Sequence, residues 1–212
     1  MGNIIPILML ILAYLFGSIP FGVIVGKIKG IDIREHGSHN IGATNASRTL
    51  GPIFGLIVFV LDFIKGGFFV LISKLLIESN SILFVLNIHP LYYGLAAFLG
   101  HLYPIFIKFK GGKGISTVAG ILAVYNLPMF LVALVFFFTV VIITKYVSVG
   151  STSCAISLFI SYFVFQIKDI NLFFFCVITS IFIVIKHIPN YKRLINHSEN
   201  KMYIIKNKKK SE

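Results

Sequence analysis

A stretch without a single charged side chain decides how this chain is arranged: "TVAGILAVYNLPMFLVALVFFFTVVIIT", Thr117 to Thr144. A helix needs about 20 apolar residues to cross a bilayer, so this stretch is long for one crossing and short for two. Its middle reads "YNLPM" and contains Pro128, whose ring removes a helix hydrogen bond. Either two helices meet near Pro128, or one long helix crosses with a tilt.

The composition is that of an integral membrane protein. Hydrophobic residues make up 57% of the chain and charged residues 12%, against about 45–50% and 25% in soluble domains. The net charge of +12 could suggest a nucleic-acid binder, but the basic residues fall in short gaps between apolar runs, as cytoplasmic loops do. We therefore expect no nucleic-acid partner. Cys154 and Cys176 lie inside apolar runs and indicate neither a disulfide nor a metal site.

Further apolar runs are long enough to be membrane spans. The first is expected to be a retained span, because it lacks the basic start and the cleavage site of a signal peptide. These runs are Ile4 to Val25, a part of Pro52 to Ile77, a part of Ile82 to Ile107, Tyr146 to Gln166 and Ile170 to Ile185.

The basic gaps between the runs predict the orientation. They are residues 27–50, residues 108–113, Lys145 and the stretch after Ile185. If all of them face the cytoplasm, the chain crosses the bilayer an even number of times between any two. The charge-free stretch must then cross twice, which predicts seven spans. Its first arm, of about 12 residues, is too short for a full span unless it is tilted, or it is re-entrant. The alternative is six spans, with residues 115–144 as one long tilted helix and residues 145–151 outside.

We therefore predict an all-α integral membrane protein: a seven-transmembrane-helix bundle with its N-terminus outside and its C-terminus in the cytoplasm. Residues 1–200 would form a single transmembrane domain and residues 201–212 a basic cytoplasmic tail. Asp62 and Lys65 lie three residues apart within one span. Because charges are costly in a bilayer, we expect them to pair or to face the bundle interior, as a structural ion pair rather than a proton relay.

Four polar stretches fall at the predicted cytoplasmic ends of the spans: "EHGSHNIGATNASRTLG" (35–51), "KFKGGKG" (108–114), "KYVSVGS" (145–151) and "KHIPN" (186–190). Glycines let backbone amides converge on an anion, and the helix that follows adds positive charge at its amino end. The Walker A pattern fails because Gly114 follows Lys113. Phosphate binding is favoured; a basic loop that only satisfies topology, and a capped connecting loop at 35–51, are the alternatives.

The usual catalytic motifs are missing from the sequence. It contains no Gly-x-Ser-x-Gly, no His-Glu-x-x-His, and no histidine with an Asp five positions on. Glu35 and Glu199 are the only acids expected near the polar stretches. A site rich in donors and poor in bases suits a substrate that brings its own base and leaving group. No metal and no cofactor are expected.

Several motifs resemble those of one family, the bacterial acyl-phosphate-dependent glycerol-3-phosphate acyltransferases, or PlsY proteins. They are "YLFGSIPFG", "GSHNIGATNASRTLG", "LDFIKG", "GHLYPIFIKFKGGKG", "KYVSVGS" and "KHIPNYKRLINHSENK", in the same order over about residues 12–201. The resemblance implies transfer of a fatty acyl group from acyl phosphate to the sn-1 hydroxyl of glycerol 3-phosphate. Lysophosphatidic acid and phosphate would be the products, in the first step of phospholipid synthesis.

The resemblance also implies a seven-span fold in the bacterial cytoplasmic (inner) membrane, with the active site facing the cytoplasm. Membrane lipid surrounds the protein, and no obligate protein partner is inferred. The resemblance implies that Ser38 and Arg48 bind phosphate and that Lys113 forms a phosphate loop with the amides of Gly111, Gly112 and Gly114. It adds Ser151, with Ser148 nearby, and His187 and Asn190 to the site. Asn45 and Thr117 are further phosphate-binding candidates. The substrate's own phosphate would act as the base. Pro189 departs from the family pattern.

The alternative function is a membrane transporter or channel for phosphate-bearing anions, since a basic glycine nest on the inner face would suit it too. The sequence lacks the inverted repeat that many transporters show. Its polar motifs also cluster at one face and do not line a path across the membrane.

Overall fold

The computed structural model describes residues 4–79 and 88–202, and the described part of the chain contains helices and no strand. The predicted start of the third span at Ile82 and most of the predicted tail lie outside the described residues. The helices are α1 Ile4–Gly17, α2 Phe21–Ile28, α3 Ala43–Leu50, α4 Pro52–Glu78, α5 Pro90–Leu102, α6 Ile115–Tyr125, α7 Leu127–Thr144, α8 Val147–Val164 and α9 Ile170–Ile195, with a 3-10 turn at Ile105–Ile107.

Most of these helices are built to cross a membrane. Five segments are long and apolar enough, namely α4, α5 with its 3-10 turn, α7, α8 and α9. The pair α1 and α2 makes a sixth if it is one span bent by 40°. The bend falls at residues 18–20, where Pro20 brings no N–H to the helix ladder. The prediction of an all-helical membrane protein is confirmed.

The charge-free stretch is broken in two, as one of the alternatives predicted. Helix α6 ends at Tyr125 and α7 begins at Leu127. Asn126 caps α7, because its Oδ1 accepts a hydrogen bond from the Met129 amide at 3.1 Å. Pro128 lies in the first turn of α7, where a missing N–H leaves no hydrogen bond unmade. At 11 residues, α6 is short for a span.

Helices α6 and α4 cross so closely that their backbones are in contact. A Cβ on Gly67 would come within 2.7 Å of the Gly120 carbonyl oxygen, and one on Gly120 within 2.7 Å of the Phe63 carbonyl carbon. Small residues let membrane helices approach this closely. The tight crossing fixes the amino end of α6, and with it the loop that precedes α6.

The bundle interior is mainly apolar, with some buried Ser, Thr, Asn and His side chains, and helix α4 carries a buried ion pair. Asp62 Oδ1 and Lys65 Nζ are 2.7 Å apart, with side chains 3% and 1% exposed. The prediction that these two residues pair is confirmed. Large apolar side chains cover the outside of the bundle, including Leu71, Ile142 and Phe163, as expected of a lipid-facing surface.

The last helix is longer than the apolar run predicted. The run ends at Ile185, but α9 continues through Pro189 to Ile195. This extra length carries His187 and Asn190 on a rigid helix, with both residues buried. The chain then turns back, and the Met202 amide donates to the Lys145 carbonyl at 2.8 Å.

Candidate active site

The polar ends of the helices surround a cavity of about 450 Å³. Parts of helices α3 to α9 contribute to it, together with residues 38–42, the glycine-rich loop (residues 108–114) and residues 196–202. Of the residues proposed from the sequence, the cavity is lined by Ser38, Asn45, Arg48, Lys113, Gly114, Ser148, Ser151, His187 and Asn190. Ser38 and Asn190, which are 152 positions apart in the chain, thus face one space.

Lys113 reaches α9 from the glycine-rich loop. Its Nζ donates a hydrogen bond to Asn190 Oδ1, and Asn190 Nδ2 donates to Glu199 Oε1 at 2.8 Å. Burial lowers the pKa of the Lys113 ammonium to about 8, against the opposing charge of Glu199, and Arg193 and Arg48 lower it further. The site therefore holds a cation that is easily neutralised above neutral pH.

Glu199 is the hub of the polar network. Its Oε1 accepts hydrogen bonds from Ser148 Oγ at 3.0 Å and from Asn190, and its Oε2 accepts one from Arg193 Nε at 2.7 Å. Burial raises the pKa of Glu199, but the three hydrogen bonds outweigh burial and hold the pKa below its usual range. The carboxylate is thus held as an anion and is poorly suited to accept a proton.

Arg48 lies at the rim of the same cavity, near the carboxyl end of α3. Its Nη2 donates to the Asn200 carbonyl at 3.2 Å. The segment after α9 therefore spans the cavity and contacts α3 through Asn200, and α8 through Glu199 and Ser148.

Asn45 organises the loop that presents Ser38. Its Oδ1 accepts from the Ser38 amide at 2.8 Å, and its Nδ2 donates to the Ile33 carbonyl at 2.8 Å and the His36 carbonyl at 3.1 Å. Asn45 is 1% exposed. Although it lines the cavity, its side chain is occupied by the loop.

His187 is held in one orientation. Its Nδ1 lies 2.7 Å from the Ile183 carbonyl, and because a carbonyl only accepts, Nδ1 must carry a hydrogen. In the neutral ring Nε2 is then an acceptor; in the protonated ring it is a second donor. His187 faces the cavity although Pro189 lies two positions further along the same helix.

Three proposed residues lie away from the cavity lining. Thr117 is fully buried where α6 crosses α4. Gly111 and Gly112 pack against the end of α5, and the Gly112 amide donates to the His101 carbonyl at 3.1 Å. That amide is therefore used within the fold. Gly114, with φ +84°, is the N-cap residue immediately before α6 and does line the cavity.

Asp62 and His101 also line the cavity, although neither was predicted from the sequence to be a site residue. His101 Nδ1 lies 3.6 Å from Asp62 Oδ1. An intramembrane charge is itself a signal of function, so Asp62 could have been found. His101 belongs to the motif "GHLYPIFIKFKGGKG", but no neighbouring residue in the sequence indicated a role for it. Glu35 is exposed, whereas Glu199 is buried in the cavity wall.

A second, apolar cavity of about 120 Å³ adjoins the first. Both cavities are lined by Phe59, Ile115, Phe137 and Phe138. The second is also lined by side chains such as Leu122, Ala155 and Leu158. Within residues 4–79 and 88–202, no three His, Cys, Asp or Glu side chains are grouped to hold a metal ion.

Comparison with known sequences gives one consistent result. The sequence model of the family described as glycerol-3-phosphate acyltransferase matches residues 7–197. Glycerol-3-phosphate acyltransferase 2 of Bacillus cereus is 45% identical over 203 residues, covering 95% of this chain and 98% of the relative. The glycerol-3-phosphate acyltransferase of Bacillus subtilis is 44% identical over 196 residues, covering 92% and 96%.

Solved structures give the same result. A crystal structure of PlsY, described as an integral membrane glycerol 3-phosphate acyltransferase in its glycerol 3-phosphate form, matches with a TM-score of 0.82. It is 34% identical and covers 93% of this chain and 95% of that one. A second structure, described as the lysophosphatidic acid form, matches with a TM-score of 0.81 and 35% identity, with the same coverage.

Proposed function

This chain belongs to the PlsY family of glycerol-3-phosphate acyltransferases, and on that premise we propose that its acyl donor is acyl phosphate and its acceptor the sn-1 hydroxyl of glycerol 3-phosphate. The products would be lysophosphatidic acid and inorganic phosphate. Family membership favours this acyl transfer over the transporter alternative.

One observation carries the proposal: a cavity with convergent cations opens beside an apolar cavity, and four side chains belong to both. Acyl phosphate has the matching shape, with an anionic head and an apolar chain. An acyl chain in the smaller cavity would leave water, which contributes about 0.8 kcal/mol for each CH₂ buried. Its phosphate would then lie among the cations of the larger cavity.

We assign the donor's phosphate to Lys113 and the amino end of α6, and glycerol 3-phosphate to Arg48 or His187. The hydroxyls of Ser38 and Ser151 are further donors at the cavity wall. Holding two phosphorylated substrates together makes the reaction effectively unimolecular, which removes much of the barrier. The cations and donors offset the negative charge that develops on the carbonyl oxygen and on the departing phosphate.

In the reaction step the acceptor's hydroxyl oxygen attacks the acyl carbonyl carbon. The bond from that carbon to the phosphate oxygen breaks, and phosphate leaves with the electron pair. The hydroxyl proton passes to a phosphate oxygen of the substrates. Neither cavity carboxylate suits the role of base, because Glu199 accepts three hydrogen bonds and Asp62 is paired with Lys65.

We further propose that the protein crosses the bacterial inner membrane seven times, with its N-terminus outside and its C-terminus in the cytoplasm. The short α6 supplies the seventh crossing, and the active site faces the cytoplasm. Residues 1–200 would be one acyltransferase domain, followed by a basic tail. Lysines 108, 110 and 113 and the basic end of α9 at Lys192 and Arg193 support this orientation.

The test is acyl transfer by the purified protein in detergent, where transport cannot be measured. Radiolabelled glycerol 3-phosphate is supplied with palmitoyl phosphate or with palmitoyl-CoA, and the position of the acyl group in the product is determined. We expect labelled 1-acyl product and free phosphate only with palmitoyl phosphate. Comparable rates with palmitoyl-CoA would refute the assigned donor, and acylation at the sn-2 hydroxyl would refute the assigned position.

A further inference from the structure

The glycine-rich loop rests on the end of α5, and His101 is the centre of that contact. Besides the hydrogen bond from the Gly112 amide to the His101 carbonyl, a Cβ on Gly112 would lie 2.8 Å from His101 Cε1. A Cβ on Gly111 would lie 2.6 Å from the Leu102 carbonyl oxygen. Both glycines are thus needed for close approach, and Gly112 packs directly against the His101 ring.

The buried ion pair faces the other ring nitrogen of His101, Nδ1. Asp62 Oδ1 lies 2.7 Å from Lys65 Nζ and 3.6 Å from His101 Nδ1. Lys65 Nζ also donates to the Ile19 carbonyl at 2.9 Å. Buried ion pairs are often replaceable by apolar residues without loss of stability. Its location at the cavity wall, beside the ring that supports the loop, therefore points to a role other than stability.

The turn that carries His101 is fixed on two further sides. Tyr14 of α1 donates its hydroxyl to the Tyr103 carbonyl at 2.8 Å. Lys186 of α9 donates to the Leu102 carbonyl at 3.3 Å and lies 4.2 Å from the centre of the Tyr103 ring. With the backbone of this turn held by two helices, the His101 ring is the part that can transmit a shift to the loop.

We propose that His101 is a positioning residue. Its ring, oriented by the Asp62–Lys65 pair, sets the distance between residues 111–114 and the end of α5. It thereby places Lys113 Nζ in the cavity. The inference rests on the proposed role of Lys113 in binding phosphate. A catalytic group displaced by about 1 Å can lose about 10²-fold in rate, so the effect of removing His101 is measurable.

The experiment is a double-mutant cycle between His101 and Lys113. His101→Phe keeps a ring against Gly112 but removes the nitrogen that faces Asp62, and His101→Gln keeps a polar side chain without the ring. We expect each single variant to lose about 10- to 100-fold in kcat/KM for palmitoyl phosphate and glycerol 3-phosphate, with an unchanged Tm. In a Lys113→Ala background the further loss should be below about twofold, since residues that act as one unit are not additive. His89→Phe, at the other end of α5, is the matched control and should keep its activity.

A second set of variants tests the role of the Asp62–Lys65 ion pair. Asp62→Asn should lower kcat/KM about tenfold alone and cause no further loss in the His101→Phe background. Because this change leaves Lys65 buried without its partner, the paired variant Asp62→Leu/Lys65→Met is measured beside it. Equal loss in the paired variant, with Tm retained, supports orientation by the ion pair; full activity of the paired variant overturns that part.

The outcomes separate the inference from the proposed function. Additive losses in the cycle mean that His101 acts without Lys113 and overturn the inference alone. Near-normal activity of both His101 variants overturns it, and so does failure of both to purify folded, since His101 would then be needed for the fold. If Lys113→Ala itself keeps normal turnover, the proposed phosphate-binding role falls, and the inference falls with it.

Discussion

Lys113 of the glycine-rich loop donates a hydrogen bond to the side chain of Asn190 on α9, across 77 positions of sequence. Asn190 in turn donates to Glu199, which also binds Ser148 and Arg193. The cation therefore belongs to a network that joins the loop, α8, α9 and the segment after α9. A change at one member is expected to affect the placement of the others.

Removal of the Lys113 ammonium should nearly abolish acyl transfer. Losing one group that stabilises developing charge costs about 10²–10³ in rate, and we expect at least this loss in kcat for Lys113→Ala. Lys110→Ala, an exposed lysine in the same loop, is the control and should stay within about twofold of wild type. Both are measured by phosphate release from palmitoyl phosphate, with Tm as the check on folding. Normal turnover of Lys113→Ala would refute the loop assignment.

The pKa of Lys113 predicts how activity depends on pH. Burial lowers this pKa to about 8, so the side chain is a cation below that pH and loses its charge as the pH rises through it. We expect kcat/KM to fall on the alkaline side of about pH 8. In Lys113→Arg, whose guanidinium stays charged, the remaining activity should persist to higher pH. An unchanged alkaline limb in the arginine variant would assign the titration to another group.

Neutralising Glu199 should loosen the whole network. Glu199→Gln removes the charge that binds Arg193 and leaves one amide N–H facing another donor. Hydrogen bonds to charged groups contribute about 1.5–3 kcal/mol to stability. Because Arg193 is partly exposed, we expect the free energy of unfolding to fall by an amount near the lower end of this range, which is measured as a lower Tm. Glu35→Gln, in an exposed loop, should leave Tm unchanged.

The pKa of Glu199 gives this prediction a pH signature. Because hydrogen bonding holds the folded-state pKa below that of the unfolded chain, the stabilisation is present above the unfolded pKa. It is lost as pH falls through the folded pKa. The Tm difference between wild type and Glu199→Gln should therefore be full at neutral pH and shrink on acidification. A constant difference across the pH range would show that the charge of Glu199 is not what stabilises the network.

The sequence was sufficient for the parts of the fold that depend on hydrophobicity. Apolar runs predicted the membrane-spanning helices but not α3, which lies in the polar stretch 35–51 that was interpreted as a loop. Pro128 predicted the break between α6 and α7 because its ring removes a helix hydrogen bond. The apolar signal stopped at Ile185 because the last turns of α9 are polar; what continues the helix is the burial of His187 and Asn190, a tertiary effect.

The site was predictable to the extent that its residues stand out chemically. Basic and hydroxyl residues among glycines marked the cavity wall. His101 was not predictable, because its role depends on contact with Gly112 and Asp62, residues that lie 11 and 39 positions away. The sequence predicted that Gly111 and Gly112 form an anion-binding nest, whereas in the structure they allow the loop to pack against α5.

Filling the apolar cavity should shift the preference of the enzyme toward shorter acyl chains. Ala155 on α8 lines this cavity, and Ala155→Phe would occupy much of its 120 Å³. Each excluded CH₂ forfeits about 0.8 kcal/mol, so exclusion of two lowers kcat/KM about tenfold. We expect palmitoyl phosphate to lose this factor relative to a donor shorter by four carbons. Ile156→Phe, its exposed neighbour on α8, is the control, and equal shifts in both variants would place the acyl chain elsewhere.

The break between α6 and α7 gives a direct test of the seven-span topology. If α6 crosses the membrane, Leu127 lies at the outer face, where its side chain is 52% exposed; if α6 and α7 form one tilted span, it lies within the bilayer. In a Cys154→Ala/Cys176→Ala background, Leu127→Cys should react with a membrane-impermeant maleimide in intact cells. Lys110→Cys should react only in inside-out vesicles, because its loop is placed in the cytoplasm. Labelling of residue 127 only from the cytoplasmic side would make α6 re-entrant, and no labelling from either side would favour six spans.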